Sequence, residues 1–172
     1  GKTSTKEAVA SVLEQKFRTL KTEGNYNNEL GVPLTVFRLE EEHEAAVIEM
    51  GIDDFGQMAV LSAIAGPDIC LLTNIGDCHL ENLGDRNGVL KEKTEMFKSL
   101  RPGGYIVLNG DDAHLSTVKE VNGIRPVFFG LDQKHDVWAD EIENRGLSGT
   151  KCRIHMKDIS FTALIPKPGM HM

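Results

Sequence analysis

The sequence predicts an α/β fold: a mostly parallel, P-loop-type sheet with helices on both faces and an antiparallel strand extension near the C-terminus. Three observations predict it. The chain opens Gly1-Lys2-Thr3-Ser4-Thr5-Lys6, which reads as the closing half of a Walker A phosphate loop. Short apolar runs then alternate with helix-like stretches as far as Phe129, the signature of right-handed βαβ units. From Val137 onward the pattern changes to consecutive strand-like runs separated by turn residues.

Taken in order, the first helix is predicted over 5–20, where Ala8, Val9, Val12, Leu13, Phe17 and Leu20 recur at helical spacing. It follows the phosphate loop directly. Residues 22–28 are polar and Gly/Asn-rich and read as a loop, followed by a short helix over 33–39. The apolar run 45–50 suits a buried strand closed by Gly51. A helix opens at Gly56 and runs through Ala65, and Pro67 breaks it. Residues 69–73 form the next buried strand. A helix over 87–100 stops at Pro102-Gly103-Gly104. Strand 105–109, helix 112–121 and strand 126–129 complete the alternation. Runs 137–143, 149–157 and 159–165 form the antiparallel extension.

A chain of 172 residues is most simply one domain, here 1–172, long enough to bury a sizeable core. A formal net charge of -7 argues against nucleic acid or an anionic membrane as partner; small-molecule substrates and a monomeric state are expected instead. Cys70, Cys78 and Cys152 are too scattered for a zinc site or a disulfide framework. Cys70 lies in an apolar run and reads as a buried, inert thiol, which fits a cytoplasmic location. No apolar run is long enough to span a membrane. A start in mid-loop leads to the expectation that the chain is a piece of a larger nucleotide-dependent enzyme.

The candidate chemistry lies at the carboxyl ends of the strands, where open α/β sheets bind ligands. In a Walker A loop, Lys2 reaches the β/γ-phosphates and the Thr3 hydroxyl meets Mg²⁺, with Gly1 and Ser4 in the same loop. Glu49 ends the otherwise apolar run Ala45-Ala-Val-Ile-Glu-Met50. A carboxylate there is either satisfied by amides or a lysine, or it ligates a metal, and a neighbouring P-loop Thr favours the metal. His79 follows the next strand; a lone loop histidine is ordinarily a surface or packing residue, but this one sits on the sheet edge that carries Glu49. His43, His114, His135 and His155 read as surface or structural. Lys93, in Lys91-Glu-Lys-Thr-Glu95, reads by itself as part of a solvated helical face. Asp111-Asp112 reads as an N-cap. Asn25-Tyr-Asn-Asn28 is a candidate ligand loop that turn-forming asparagines would equally explain.

Several segments together match one family. They are Gly1-Lys-Thr-Ser-Thr-Lys-Glu7, Thr22-Glu-Gly-Asn-Tyr-Asn-Asn-Glu-Leu-Gly-Val-Pro-Leu34, Ala46-Val-Ile-Glu-Met-Gly51, Pro67-Asp68 to Gly76, His79-Leu-Glu81, the Lys93 helix, Leu108-Asn-Gly-Asp111 and Pro168-Gly-Met-His171. They occur in family order and span essentially the whole chain. The sequence resembles the central ATPase domain of Mur ligases. Through the Asn-rich block it resembles those members that add D-alanyl-D-alanine to UDP-N-acetylmuramoyl-tripeptide in peptidoglycan synthesis. The resemblance implies that Lys2 contacts the phosphates of ATP, and that Thr3 and Glu49 hold one Mg²⁺ and His79 a second. It implies that Lys93 is carbamylated and supports the metals. Asn27 and Asn28 would lie near the UDP-muramoyl-peptide, and Asn74 and His171 would line the nucleotide site. The family's preceding strand and first loop glycine are absent here, as are the Asn-bearing helix after the closing His and the flanking domains. The piece is therefore expected to fold without catalysing. A folylpolyglutamate-synthase-like ligase shares the loop and metal ligands but not the Asn-rich block. A non-catalytic nucleotide-binding module is the reading from a different class.

Overall fold

The computed structural model describes residues 1–166. The chain divides into two compact units, one of Gly1–Cys70 with Ile75–Gly104, the other of Leu71–Asn74 with Tyr105 onward. The α/β class holds, but the strands fall into a two-stranded and a six-stranded sheet.

In the first unit, α1 spans Lys2–Leu13 and β1 spans Thr19–Lys21. The helix thus ends well short of the predicted Leu20. The chain turns at 14–18, where Phe17 N still bonds Leu13 O at 2.8 Å, and then enters a strand. Leu20 is buried at helical spacing from Phe17, but as a strand residue: β1 pairs in parallel with β2, Ala45–Val47, Leu20 opposite Ala46. Tertiary pairing overrode the local helical pattern. β2 is only half-buried, since β1 alone flanks it among the described residues. A short α2 covers Gly31–Val36, two residues ahead of its predicted start.

Helix α3, Gln57–Ala65, matches its prediction, and its ends explain the two glycines. Gly56 (φ 85°) and Gly66 (φ 54°) both sit in the left-handed region, which a Cβ disfavours. A short helix α4, Leu80–Leu83, was not foreseen. Helix α5, Arg86–Thr94, continues as a 3₁₀ turn over Glu95–Ser99, so the predicted 87–100 helix is present with a tightened end. The core of this unit gathers Ala10, Val32, Met58, Leu61, Val89 and Phe97, all buried. Each of these side chains larger than alanine contributes roughly 1.5–3 kcal/mol by leaving water.

The six-stranded sheet runs in sequence order: β3 (Ile69–Leu72), β4 (Tyr105–Asn109), β5 (Val127–Gly130), β6 (Val137–Asn144), β7 (Thr150–Met156) and β8 (Ile159–Ile165). β4–β5 and β5–β6 are parallel; β6–β7 and β7–β8 are antiparallel, as the turn pattern after Val137 predicted. The predicted helix over 112–121 is reduced to a 3₁₀ turn at Leu115–Thr117. Asp112 does cap it, accepting from His114 N and Leu115 N at 2.9 Å. Asn122-Gly123, both at positive φ, then reverses the chain between Val121 and Ile124, which leaves no room for further helical turns. Leu72, Ile106, Leu108 and Leu115 form the buried centre of this unit. No helix among the described residues is long and apolar enough to cross a membrane.

Candidate functional site

The site is built in the first unit, from the start of α1, the segment after β2 and the 22–28 loop. Gly1 places its carbonyl under Thr5 N at 3.1 Å, so the helix begins immediately after the glycine. Lys2 and Thr3 stand exposed on its first turn. Backbone N–H groups without intrahelical partners and a positive dipole end suit such a terminus to phosphate.

Two residues past β2, the chain delivers Glu49, which is 6% exposed. Its backbone N–H donates to the buried Thr22 Oγ1 at 2.9 Å, and this bond ties the strand end to the 22–28 loop. Its carboxylate is asymmetric. Oε1 accepts from Asn27 Nδ2 at 2.8 Å and from Thr3 Oγ1 at 3.3 Å. Oε2 is buried without a hydrogen bond, with Lys6 Nζ at 4.0 Å. The Thr3 hydroxyl and the Glu49 carboxylate, in contact at 3.3 Å, are oxygen donors of the kind that a hard divalent cation takes up. The Thr3–Glu49 pair therefore fits the implied Mg²⁺.

The Asn loop is held at both ends. Asn27 O accepts from Gly51 N at 2.7 Å. The approach is so close that a Cβ on Gly51 would lie 2.8 Å from Asn27 Oδ1. Asn28 Oδ1 accepts from Leu30 N and Gly31 N at 3.2 and 2.9 Å, so it shapes the entry to α2. A cavity of about 500 Å³ opens here, lined by Lys2, Asn27, Asn28, Asp53, Gln57 and His79 among others. His79 is exposed, in a left-handed backbone conformation (φ 62°) that is uncommon for a residue with a side chain. The Asp77–Arg86 ion pair, at 2.7 Å, braces its loop, and the guanidinium holds the Asp77 carboxyl below its ordinary range.

The structure thus brings together Thr3 with Glu49, and Lys2, Asn27, Asn28 and His79 around one cavity. Among the described residues no three His, Cys, Asp or Glu side chains gather as a metal cage. Ser4 is half-buried on α1. Asn74 is exposed after β3 in the second unit, its Oδ1 accepting from Thr73 Oγ1 at 3.2 Å. His171 lies outside the described residues. Lys93 is half-buried on α5, and the helix is not a solvated face. Its neighbour Glu92 is 2% exposed and accepts from Gly56 N at 3.0 Å and Met58 N at 2.8 Å, capping α3 from another helix.

Two further residues escaped the sequence reading. Lys6 is buried beneath the site, and its position four residues before the buried Ala10 is the signal that could have found it. Thr22 is buried by the backbone it bonds, for which the sequence holds no cue. Of the four histidines read as surface or structural, His135 and His155 have structural partners. His135 bonds Asp111 at 2.8 Å, and His155 stacks on Trp138 with ring centroids 3.7 Å apart and bonds Asp140 at 2.9 Å.

Residues 1–172 match the Mur ligase middle domain. The UDP-N-acetylmuramoyl-tripeptide--D-alanyl-D-alanine ligase of Bacillus subtilis is 35% identical over 171 residues, which covers 99% of this chain and 36% of that protein. A crystal structure of MurF from Acinetobacter baumannii superposes with a TM-score of 0.91 at 32% identity, covering 99% of this chain and 37% of that one. MurF ligase from Thermotoga maritima, in complex with ADP, gives a TM-score of 0.82 at 32% identity, covering 95% and 38%. The chain spans little more than a third of the length of these relatives.

Proposed function

Because the chain belongs to the Mur ligase family and matches its middle domain, we propose that it is the ATP-binding domain of a ligase that joins D-alanyl-D-alanine to UDP-N-acetylmuramoyl-tripeptide. The observation that carries this reading is the convergence of Thr3 and Asn27 on one oxygen of Glu49 while the other is buried and unbonded. It ties a phosphate-loop residue, a cation ligand and the Asn-rich loop into one cluster. That loop is the segment that resembles D-alanyl-D-alanine-adding enzymes rather than their relatives.

In the proposed reaction, a carboxylate oxygen of the muramoyl-peptide attacks the γ-phosphorus of ATP. The bond to the β-phosphate oxygen breaks, ADP leaves and an acyl phosphate remains. The amine of D-alanyl-D-alanine then attacks the acyl carbon, forming the C–N bond. The nitrogen loses a proton, and phosphate departs with the C–O bond. The first step joins two anions, so it needs positive charge preorganised at the phosphates. Lys2 and the free N–H groups of α1 supply part of it. Mg²⁺ held by Thr3 and Glu49, and a second ion at His79 supported by carbamylated Lys93, would neutralise the rest. Asn27 and Asn28 orient the muramoyl-peptide on the cavity wall. The enzyme acts as a monomer on small-molecule substrates.

The test is phosphate release by the full-length ligase given Mg-ATP, UDP-muramoyl-tripeptide and D-alanyl-D-alanine. Turnover that requires all three supports the reading. Turnover with a folate and glutamate instead, or Mg-ATP binding that never responds to the muramoyl-peptide, would sink it. Residues 1–172 alone are expected to give no turnover.

A further inference from the structure

Lys6 is the one lysine among the buried polar and charged side chains of the described residues, 3% exposed. It lies on α1, one turn beyond Lys2, on the face that also carries Ala10. An ammonium removed from water is costly unless each of its three N–H donors finds an acceptor. Here three do. Nζ donates to Thr22 O at 2.7 Å and to Gly24 O at 3.0 Å, and Glu7 Oε1 lies 3.1 Å away. The fourth neighbour is the free Glu49 oxygen at 4.0 Å.

Both carbonyls open the loop whose far end carries Asn27 and Asn28. At that far end the loop is fastened to the strand side, through Gly51 N to Asn27 O and Asn27 Nδ2 to Glu49 Oε1. Lys6 fastens the near end to the helix that begins at the phosphate loop. Neither bond uses a side chain of the loop, so the loop sequence can vary while the clamp stays. A methionine would fill the same volume with no donor, and an arginine would offer a planar fork where the acceptors are arranged around a point.

We propose that Lys6 is a positioning residue: its ammonium clamps the Thr22–Asn28 loop onto the phosphate-binding helix, holding the muramoyl-peptide loop in register with Lys2 and Thr3. The consequence for catalysis rests on the ligase reading above; the clamp itself does not.

Two measurements on the full-length ligase test it. In hydrogen exchange, Lys6→Met is expected to speed exchange of amides in 22–32 and 49–52 by about tenfold, leaving α5 unchanged. Unchanged exchange in 22–32, or equal acceleration in α5, overturns the clamp. In steady-state kinetics, Lys6→Met is expected to raise KM for the muramoyl-peptide about tenfold while KM for ATP stays within about twofold. An equal rise in both overturns the proposal. If Lys6→Met does not fold, Lys6→Arg is read by the same criteria. If the wild type shows no ligase turnover, the reaction assignment fails, and the exchange result still decides the clamp.

Discussion

Asn27 Nδ2 donates to Glu49 Oε1 at 2.8 Å, while the second Glu49 oxygen is buried without a hydrogen bond, 4.0 Å from Lys6 Nζ. Asn27→Asp would set a second carboxylate against the first, and two carboxylates at that distance cannot both ionise easily. In the full-length ligase it is expected to lower kcat/KM about 100-fold, near 2.7 kcal/mol, and Asn27→Ala by less, about tenfold. Phosphate-release kinetics for the two variants check the order. Equal losses would show that the added charge is immaterial.

Glu92 satisfies two backbone donors at the start of α3 from a neighbouring helix. Glu92→Ala leaves the buried Met58 N and the part-buried Gly56 N without that acceptor. The expected loss is about 2–4 kcal/mol, with Glu92→Gln losing less because one acceptor oxygen remains. Urea denaturation read by circular dichroism measures both.

Gly110 follows β4 directly and lies against the His135 ring. A Cβ there would lie 2.2 Å from the ring's Cε1, and the ring is held by Asp111. Gly110→Ala is expected to cost about 1–3 kcal/mol through forced displacement of the ring. The double variant Gly110→Ala, His135→Ala should recover part of the loss, measured as a shift in the denaturation midpoint.

Glu7 bridges Lys21 and Lys6, and the hydrogen bond from Lys21, then that from Lys6, lowers its pKa from the ordinary 4.5. A lowered folded pKa contributes stability above the unfolded value, lost as pH falls through the folded one. The pair is part-exposed, so the contribution stays below about 1 kcal/mol. The stability difference between wild type and Glu7→Gln should persist near neutral pH and close as pH drops below about 4. Melting curves across that range decide it; a gap that widens in acid would contradict the assignment.

Burial pushes the Cys70 thiol up to about 12, and burial raises Cys152 as well, whereas Cys78 is exposed. An aromatic disulfide reagent at pH 8 should therefore label Cys78 in the folded protein. Cys70 should be labelled only on unfolding, because the thiolate is the reactive form. Fast labelling of Cys70 would mean that its strand opens readily.

The sequence by itself determined the α/β class, the antiparallel end of the sheet, α3 with its flanking glycines, and the identity of Lys2, Thr3 and Glu49 as candidates. These rest on local signals: period, turn chemistry, and a charge in an apolar run. Tertiary structure alone decided the rest. Residues 19–21 became a strand because Ala45–Val47 lay beside them, although their spacing continued a helix. Lys91–Ser99 carried alternating charge, yet Glu92 is buried because α3 needed an acceptor at its N-terminus. Lys6, to which the sequence reading gave no role, is buried because two carbonyls of the 22–28 loop close around it. Period and turn chemistry are fixed by neighbours in sequence. Burial of a charge is fixed by which unpaired backbone groups the fold brings to it, and those come from far along the chain.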